Sequence, residues 1–296
     1  MKTLYQNINN PTEIFHTLKI CSPNVSQLNV LGTNHELLSD AHANIRIGIV
    51  GTRNATQSGI NITRKIAQVL GLNGFVTVSG MALGIDSAAH QGSLDSGGKT
   101  IAVLGSGVNV IYPQRNKKLY DEIIKNGIVI SEYDNDTSPL AFHFPVRNRI
   151  IAALSDILIV TEGTLKGGAR ITVDLALSMG KTICAIPGPI KSHVSELPNA
   201  IIADGAISVL DPSDLLSLLD IDSKALGWNL KDFSKIQQIE ISTTKQRIID
   251  TLSCMPSSMN ELSEILSISS TSLNREIYEL EKAELIRYHR GKYEAI

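Results

Sequence analysis

The sequence predicts an α/β fold built on a doubly wound, mostly parallel sheet and followed by a small domain of helices and one hairpin. Three observations carry this. From residue 45, short apolar runs rich in Val and Ile alternate with helical stretches, as in repeated βαβ units. Each run ends near Gly, Thr or Ser, where a strand gives way to a turn. After residue 243 the pattern changes to three short helices and a ribbon.

The strands are expected at 45–52, 75–80, 100–107, 128–133, 156–163 and 181–188, with a short one at 206–210. Helices are expected at 57–72, 86–97, 116–126, 146–155, 168–180 and 212–221. Continuous rather than alternating apolar strands imply a sheet covered on both faces. Right-handed crossovers bring all strand carboxyl ends to one rim, where ligands of such sheets bind near the point of strand reversal. The whole is a Rossmann-like sheet domain at 45–221, preceded by a lead-in segment at 1–44. A linker at 222–242 holds Trp228. In 243–296, helices at 244–253, 258–267 (capped by Ser258) and 269–286 (capped by Ser269 or Ser270) precede a hairpin around Arg290-Gly291, which reads as a winged helix.

With 296 residues, 43% hydrophobic, and a mean hydropathy of +0.06, the chain has enough apolar content for a substantial core. No apolar run approaches the roughly 20 residues that cross a bilayer, and the N-terminus has no charged-then-apolar signal pattern, so a cytoplasmic location and no membrane partner are expected. Cys21, Cys184 and Cys254 stand far apart without a CxxC, which fits a reducing compartment and predicts no metal site; no cofactor is expected either. Net charge is −2, but residues 45–190 carry +4 and residues 192–296 carry −6. A polyanion site belongs in the central block.

The motifs follow strand ends. In "GIVGTRNATQSG" (48–59), Gly51 permits close backbone approach, Thr52 offers a hydroxyl and Arg53 a guanidinium; the alternative is a plain βα turn with a solvated Arg. In "SGMALGIDSAAHQG" (79–92), Gly80 and Gly84 allow a bent, anion-cradling loop. Asp86 reads as a helix cap and His90 as a packed residue. Beyond the Tyr112-Pro113 turn, Arg115, Lys117 and Lys118 form either a basic contact or a solvated face.

"HFPVRNRIIAALSD" (143–156) carries Arg147 and Arg149 just after Pro145, in what reads as the first turn of a helix, an end that ordinarily favours acids. Phe142 and Phe144 precede them, and aromatics beside arginines at a sheet rim suit single-stranded nucleic acid. The alternative is that the phenylalanines are core and the arginines pair with Glu132, Asp134 or Asp156; for the arginines the reading favours an anion. "TEGTLKGGARITVDLAL" (161–177) places Lys166, Gly167 and Gly168 at another helix start suited to phosphate. Glu162 is a candidate carboxylate catalyst, or a partner for Arg53 or Arg147. No nucleophile–base pair accompanies it, so the pattern describes a binding surface rather than an enzyme.

Together "IVGTRNAT", "VSGMALGIDSAAHQGSL", "TIAVLGSGVNVIYP", "SEY", "HFPVRNRIIAALSD" and "AIPGPI" resemble the DNA-processing DprA (Smf) family over about residues 26–221, with a weaker likeness in the winged helix. The resemblance implies a homodimeric, single-strand-binding protein that protects incoming DNA and loads the RecA recombinase during natural transformation. It places the family's basic pocket on Gly51, Thr52, Arg53, Gly80, Arg147, Asn148, Arg149, Lys166 and Gly167, and dimer contacts on Ile202, Leu210 and Leu215. Gly84, Arg115 and Phe144 join the expected DNA surface, as does Arg170, which stands in "KGGARIT" where the family usually has a small residue. Residues 1–44 are too few for the SAM-like domain many members carry, and Glu196 weakens any DNA contact after "IPGPI". Residues 269–284 net −2, which disfavours duplex reading and points to a protein-contact role for the winged helix. The competing expectation is a nucleotide phosphoribohydrolase-like enzyme, which Gly163-Thr164 beside Glu162 faintly suggests, although no PGGxGTxxE run is present. A winged-helix transcription factor is a third.

Overall fold

A computed structural model describes residues 4–9, 11, 16–38, 45–211, 214–215, 218–219, 243–266, 268–282, 285–289 and 291–295. The chain divides into two compact units, Met1–Gly227 and Trp228–Ile296.

The larger unit is a nine-stranded sheet with order β1-β2-β6-β5-β4-β3-β7-β8-β9. Its parallel part runs through β3 (Arg46–Val50), β4 (Val76–Ser79), β5 (Lys99–Val103), β6 (Ile128–Ser131), β7 (Ile157–Val160), β8 (Thr182–Ala185) and β9 (Ile207–Ser208). Every residue of β3, β4, β6 and β7 is buried, as expected of strands sandwiched between two layers. The pleat divides them. Ile101 and Val103 of β5 join a core with Ile150–Leu154 and Val173, while Ala102 and Leu104 join one with Leu119, Tyr120 and Ile123.

The helices are α1 (Gln57–Leu72), α2 (Ile85–Asp95), α3 (Lys117–Asn126), α4 (His143–Leu154), α5 (Gly168–Ser178) and α6 (Glu196–Ala203). α1, α2 and α3 pack side by side as one layer; α4 and α5 pack together and supply the other core. α1 begins where Thr56 accepts a hydrogen bond from the Gly59 N–H at 2.9 Å, a sound N-cap.

Two expectations are corrected here. The segment before residue 45 is more than a lead-in: β1 (Leu4–Asn9) pairs antiparallel with β2 (Gln27–Gly32), which pairs antiparallel with β6, so it widens the sheet. Leu28 and Val30 of β2 are fully buried, which anchors this addition. Second, α4 begins at His143 rather than 146. Pro145 is therefore its third residue, where its missing N–H is still one that needs no intrahelical partner. Arg147 and Arg149 fall in the second turn, two residues apart and so on different sides of the helix.

The smaller unit contains α7 (Thr243–Cys254), α8 (Met259–Leu266), α9 (Ser270–Lys282) and an antiparallel ribbon of β10 (Ile286–His289) with β11 (Lys292–Ala295). These are the elements the sequence predicts. Its core is Ile248, Leu252, Leu262, Leu266, Leu273, Ile277, Leu280 and Ile286. Ser258 and Glu261 form a reciprocal capping box: Ser258 N–H donates to the Glu261 carboxylate at 2.6 Å, and Glu261 N–H donates to Ser258 Oγ at 3.3 Å. The expected linker lies outside the described residues, as does Trp228.

Candidate nucleic-acid interface

The parallel strands run outward from β3 in two directions, through β4, β5 and β6 on one side and through β7, β8 and β9 on the other. Loops leaving β3 and β7 therefore part at their carboxyl ends, and a cleft of about 540 Å³ opens there. Gly51, Thr52 and Arg53 line it from β3, Gly163, Thr164 and Gly167 to Ala169 contribute from the β7 side, Phe144, Arg147 and Asn148 come from α4, and Asp86 from α2. The loops are stitched together. Thr52 N–H donates to Glu162 O at 2.8 Å, and Ile85 N–H donates to Thr52 O at 3.2 Å.

Arg53 is exposed, and among the described residues no carboxylate pairs with it. Its guanidinium lies 5.3 Å from the centre of the Phe144 ring, and that of Arg147 lies 6.0 Å from the same ring. Tyr112, 44% exposed, stands 5.4 Å from Phe144 and completes an aromatic wall. α5 opens onto the cleft through Gly167, Gly168 and Ala169 with no acid in its first turn; Gly167 N–H donates to Thr164 O and Arg170 N–H to Gly167 O, which leaves the N–H groups of Gly168 and Ala169 for an anion.

Arg147 is 3% exposed. It donates to Gly80 O at 2.7 Å and to Val103 O, and to Asn148 Oδ1 at 3.2 Å. Burial lowers its pKa to about 10, against which the nearby Asp86 charge works; Arg53 lowers it further. Asp86 is expected as a helix cap. Instead Gly84 holds the cap position without a side-chain bond, and Asp86 sits inside the first turn, accepting from Ala82 N–H at 3.3 Å. Glu162 pins neither arginine. Its oxygens accept from Thr56 N–H at 2.8 Å and Thr56 Oγ1 at 2.5 Å, steadying the start of α1.

Of the expected site residues, Gly51, Thr52, Arg53, Phe144, Arg147, Asn148 and Gly167 meet in the cleft. Gly80 and Gly84 stand behind it as packing surfaces. A Cβ on Gly80 would lie 2.6 Å from Arg147 Nη2. Lys166 and Arg115 are exposed just outside the lining, beside Gly167 and on the segment of Tyr112. Two expectations fail. Arg149 is turned away and 3% exposed, with its guanidinium bidentate to Glu132 at 2.8 and 2.7 Å, so its charge is spent internally. Arg170 pairs with Asp174 at 2.8 Å and lines a different hollow, next to Leu177 and Lys181. Asp86 and Tyr112 are lining residues that sequence reading did not assign to the site. The signal for Tyr112 was its place in the loop that follows a glycine-rich strand end.

His90 is a packed residue, as expected, fully buried with Nδ1 2.6 Å from Thr100 Oγ1. Thr100 Oγ1 also donates to Thr77 O at 2.9 Å, so Nδ1 is the protonated nitrogen, and Nε2 has no protein partner. Burial first, then Arg147, drives its pKa from 6.5 to about 3. The unfolded chain thus binds one more proton between those values, and stability should fall as pH drops below 6.5, approaching about 1.4 kcal/mol per pH unit from this residue. Urea unfolding between pH 7 and 5 should show a shallower loss in His90→Asn than in wild type; parallel losses would contradict the assignment.

The family model described as DNA recombination-mediator protein A matches residues 31–220. The chain belongs to that family. Among its relatives, DNA processing protein DprA of Streptococcus pneumoniae is 43% identical over 172 residues, 58% of this chain and 61% of that protein. DprA of Bacillus subtilis is 38% identical over 174 residues, 59% of each. Protein Smf of Escherichia coli is 38% identical over 184 residues, 62% of this chain and 48% of that protein. The match thus spans about half to three fifths of these relatives' length. Among solved structures, S. pneumoniae DprA aligns with a TM-score of 0.66 at 36% identity, covering 72% of this chain and 74% of that one. DNA processing protein A from Helicobacter pylori, a structure concerned with its single-stranded DNA binding mode, aligns with a TM-score of 0.66 at 30% identity, covering 74% and 96%. The expected DprA/Smf membership and α/β sheet are both borne out.

Proposed function

We propose that this cleft binds single-stranded DNA without sequence preference, and that the protein acts as a recombination mediator rather than an enzyme. One observation carries the reading: an unpaired, exposed Arg53 lies over the Phe144 ring at the mouth of a cleft into which α5 directs its free N–H groups. Phosphate suits the guanidinium and the helix start; a base suits the ring face, which every base can stack on. Gly51, Thr52, Asn148 and Gly167 supply the cleft wall, and Lys166 and Arg115 extend positive charge beyond its edge.

The finer reading is that the protein protects incoming strands and loads the RecA recombinase during natural transformation, in the cytoplasm and as a homodimer. For the dimer, the outer edge of the sheet supports a contact surface. Leu177, Ile207 and Leu210 are 55%, 40% and 79% exposed there, beside a hollow of about 320 Å³. Ile202 is half-buried and can contribute, whereas Leu215 is 1% exposed and offers little surface. The C-terminal unit, read as a winged helix, suits a protein-contact role, because Glu276 and Glu279 of α9 gather Lys245 to themselves.

Titration of oligo-dT at several salt concentrations tests the proposal. Arg53→Ala should weaken binding to all sequences alike and reduce the log–log salt slope by about one unit. Unchanged affinity and slope would remove Arg53 from the site. Release of adenine from AMP would instead support a phosphoribohydrolase, for which Glu162 would have to leave Thr56.

A further inference from the structure

A carboxylate has no obvious place in a site for phosphates, yet Asp86 lines the cleft. It is 7% exposed and shares the space over Gly80 with Arg147: a Cβ built on Gly80 would meet Arg147 Nη2 at 2.6 Å and Asp86 Oδ2 at 2.7 Å. Opposite charges therefore face each other across a residue that has no side chain to separate them, without forming a direct ion pair. Nε of Arg147 is committed to Asn148 Oδ1 and Nη1 to Gly80 O and Val103 O. Asp86 accepts the Ala82 N–H at 3.3 Å, and hydrogen bonds from the Gly80 backbone and the Ser79 side chain also favour its charged form. Its negative charge is what calls for an account.

We infer that Asp86 weakens the cleft's grip on nucleic-acid phosphate by cancelling the charge of Arg147, so that Arg147 shapes the cleft and the exposed Arg53 does most of the holding. This rests on reading the cleft as a single-strand site. The mutual influence is visible on both partners: burial raises the Asp86 pKa and the Arg147 charge works against that rise, while burial lowers the Arg147 pKa and Asp86 works against that fall. A buried cation without such a partner would add a full charge beside the bound backbone, in a region where water screens poorly. A mediator must also release its strand, and release rate is where affinity is usually tuned.

The test removes the charge and keeps the shape. Asp86→Asn, shown to be folded by circular dichroism, should bind oligo-dT roughly tenfold more tightly than wild type. Its salt slope should be steeper by up to about one unit. A residue with a merely structural role would change binding in the opposite direction. Asp86→Glu keeps the charge and should keep the wild-type slope; a rise equal to that of the amide variant would overturn the inference. If Asp86→Asn does not fold, Asp86→Ser also removes the charge and carries the same expectation. A folded neutral variant that binds no more tightly than wild type sinks this inference alone. Wild-type protein that does not bind oligo-dT at all sinks the single-strand reading, and this inference with it.

Discussion

Arg149→Ala is expected to destabilise the larger unit by about 3–5 kcal/mol, the usual consequence of removing one partner of a buried ion pair. The Arg149 and Glu132 side chains are 3% and 16% exposed and joined by two hydrogen bonds, so the variant strands a carboxylate with little access to water. It also removes the bond from Arg149 Nε to Pro23 O at 3.0 Å, which ties α4 to the segment between β1 and β2. Urea unfolding should report the loss as a lower midpoint with little change in slope. Replacing both partners together, Arg149→Met with Glu132→Leu, should recover much of it, because no charge is then left buried. The folded fraction of Arg149→Ala should keep the wild-type salt slope for oligo-dT, unlike Arg53→Ala, because Arg149 does not reach the cleft. A drop in slope with stability intact would return Arg149 to the binding surface.

Residue chemistry marked the segment 143–156 as informative, but helix geometry decided which arginine does what. Residues two apart cannot share a helix face, so Arg147 and Arg149 were bound to serve different neighbours. That much is readable in the spacing; that Glu132 waits on one side and the carbonyls of Gly80 and Val103 on the other depends on strand order, which spacing does not encode. The buried strands were legible for a simple reason. A run such as Ile157–Val160 has no polar face, and only a sheet covered on both sides accepts it. β1 was not legible. Leu4–Asn9 reads LYQNIN, in which three of the six residues are amides, and it pairs with β2 at the sheet edge, where apolar patterning is weak. α1 was read at its full extent, 57–72, and Thr56 caps it in the structure.

Gly84→Ala should be the most damaging small substitution near the cleft, at about 2–5 kcal/mol when backbone strain and overpacking are combined. Sequence reading placed Gly84 on the DNA; its role in the fold is to let the Arg53 loop lie down. Its φ of 78° and ψ of −123° belong to a region that residues with a side chain essentially avoid. A Cβ there would also sit 2.4 Å from Thr52 O and 2.8 Å from Arg53 O, and backbone cannot step aside as a flexible side chain can. The clash lands on the carbonyl that accepts the Ile85 N–H, so the loop from Gly51 to Arg53 has to lift away from α2. Arg53 would then leave the Phe144 ring, and oligo-dT affinity should fall at least as far as in Arg53→Ala although no DNA-contacting side chain has been touched. Unfolding midpoints and salt titrations on the same variant separate the two effects. Normal stability with normal binding would show that the loop has slack, and the cleft could not then owe its shape to this contact.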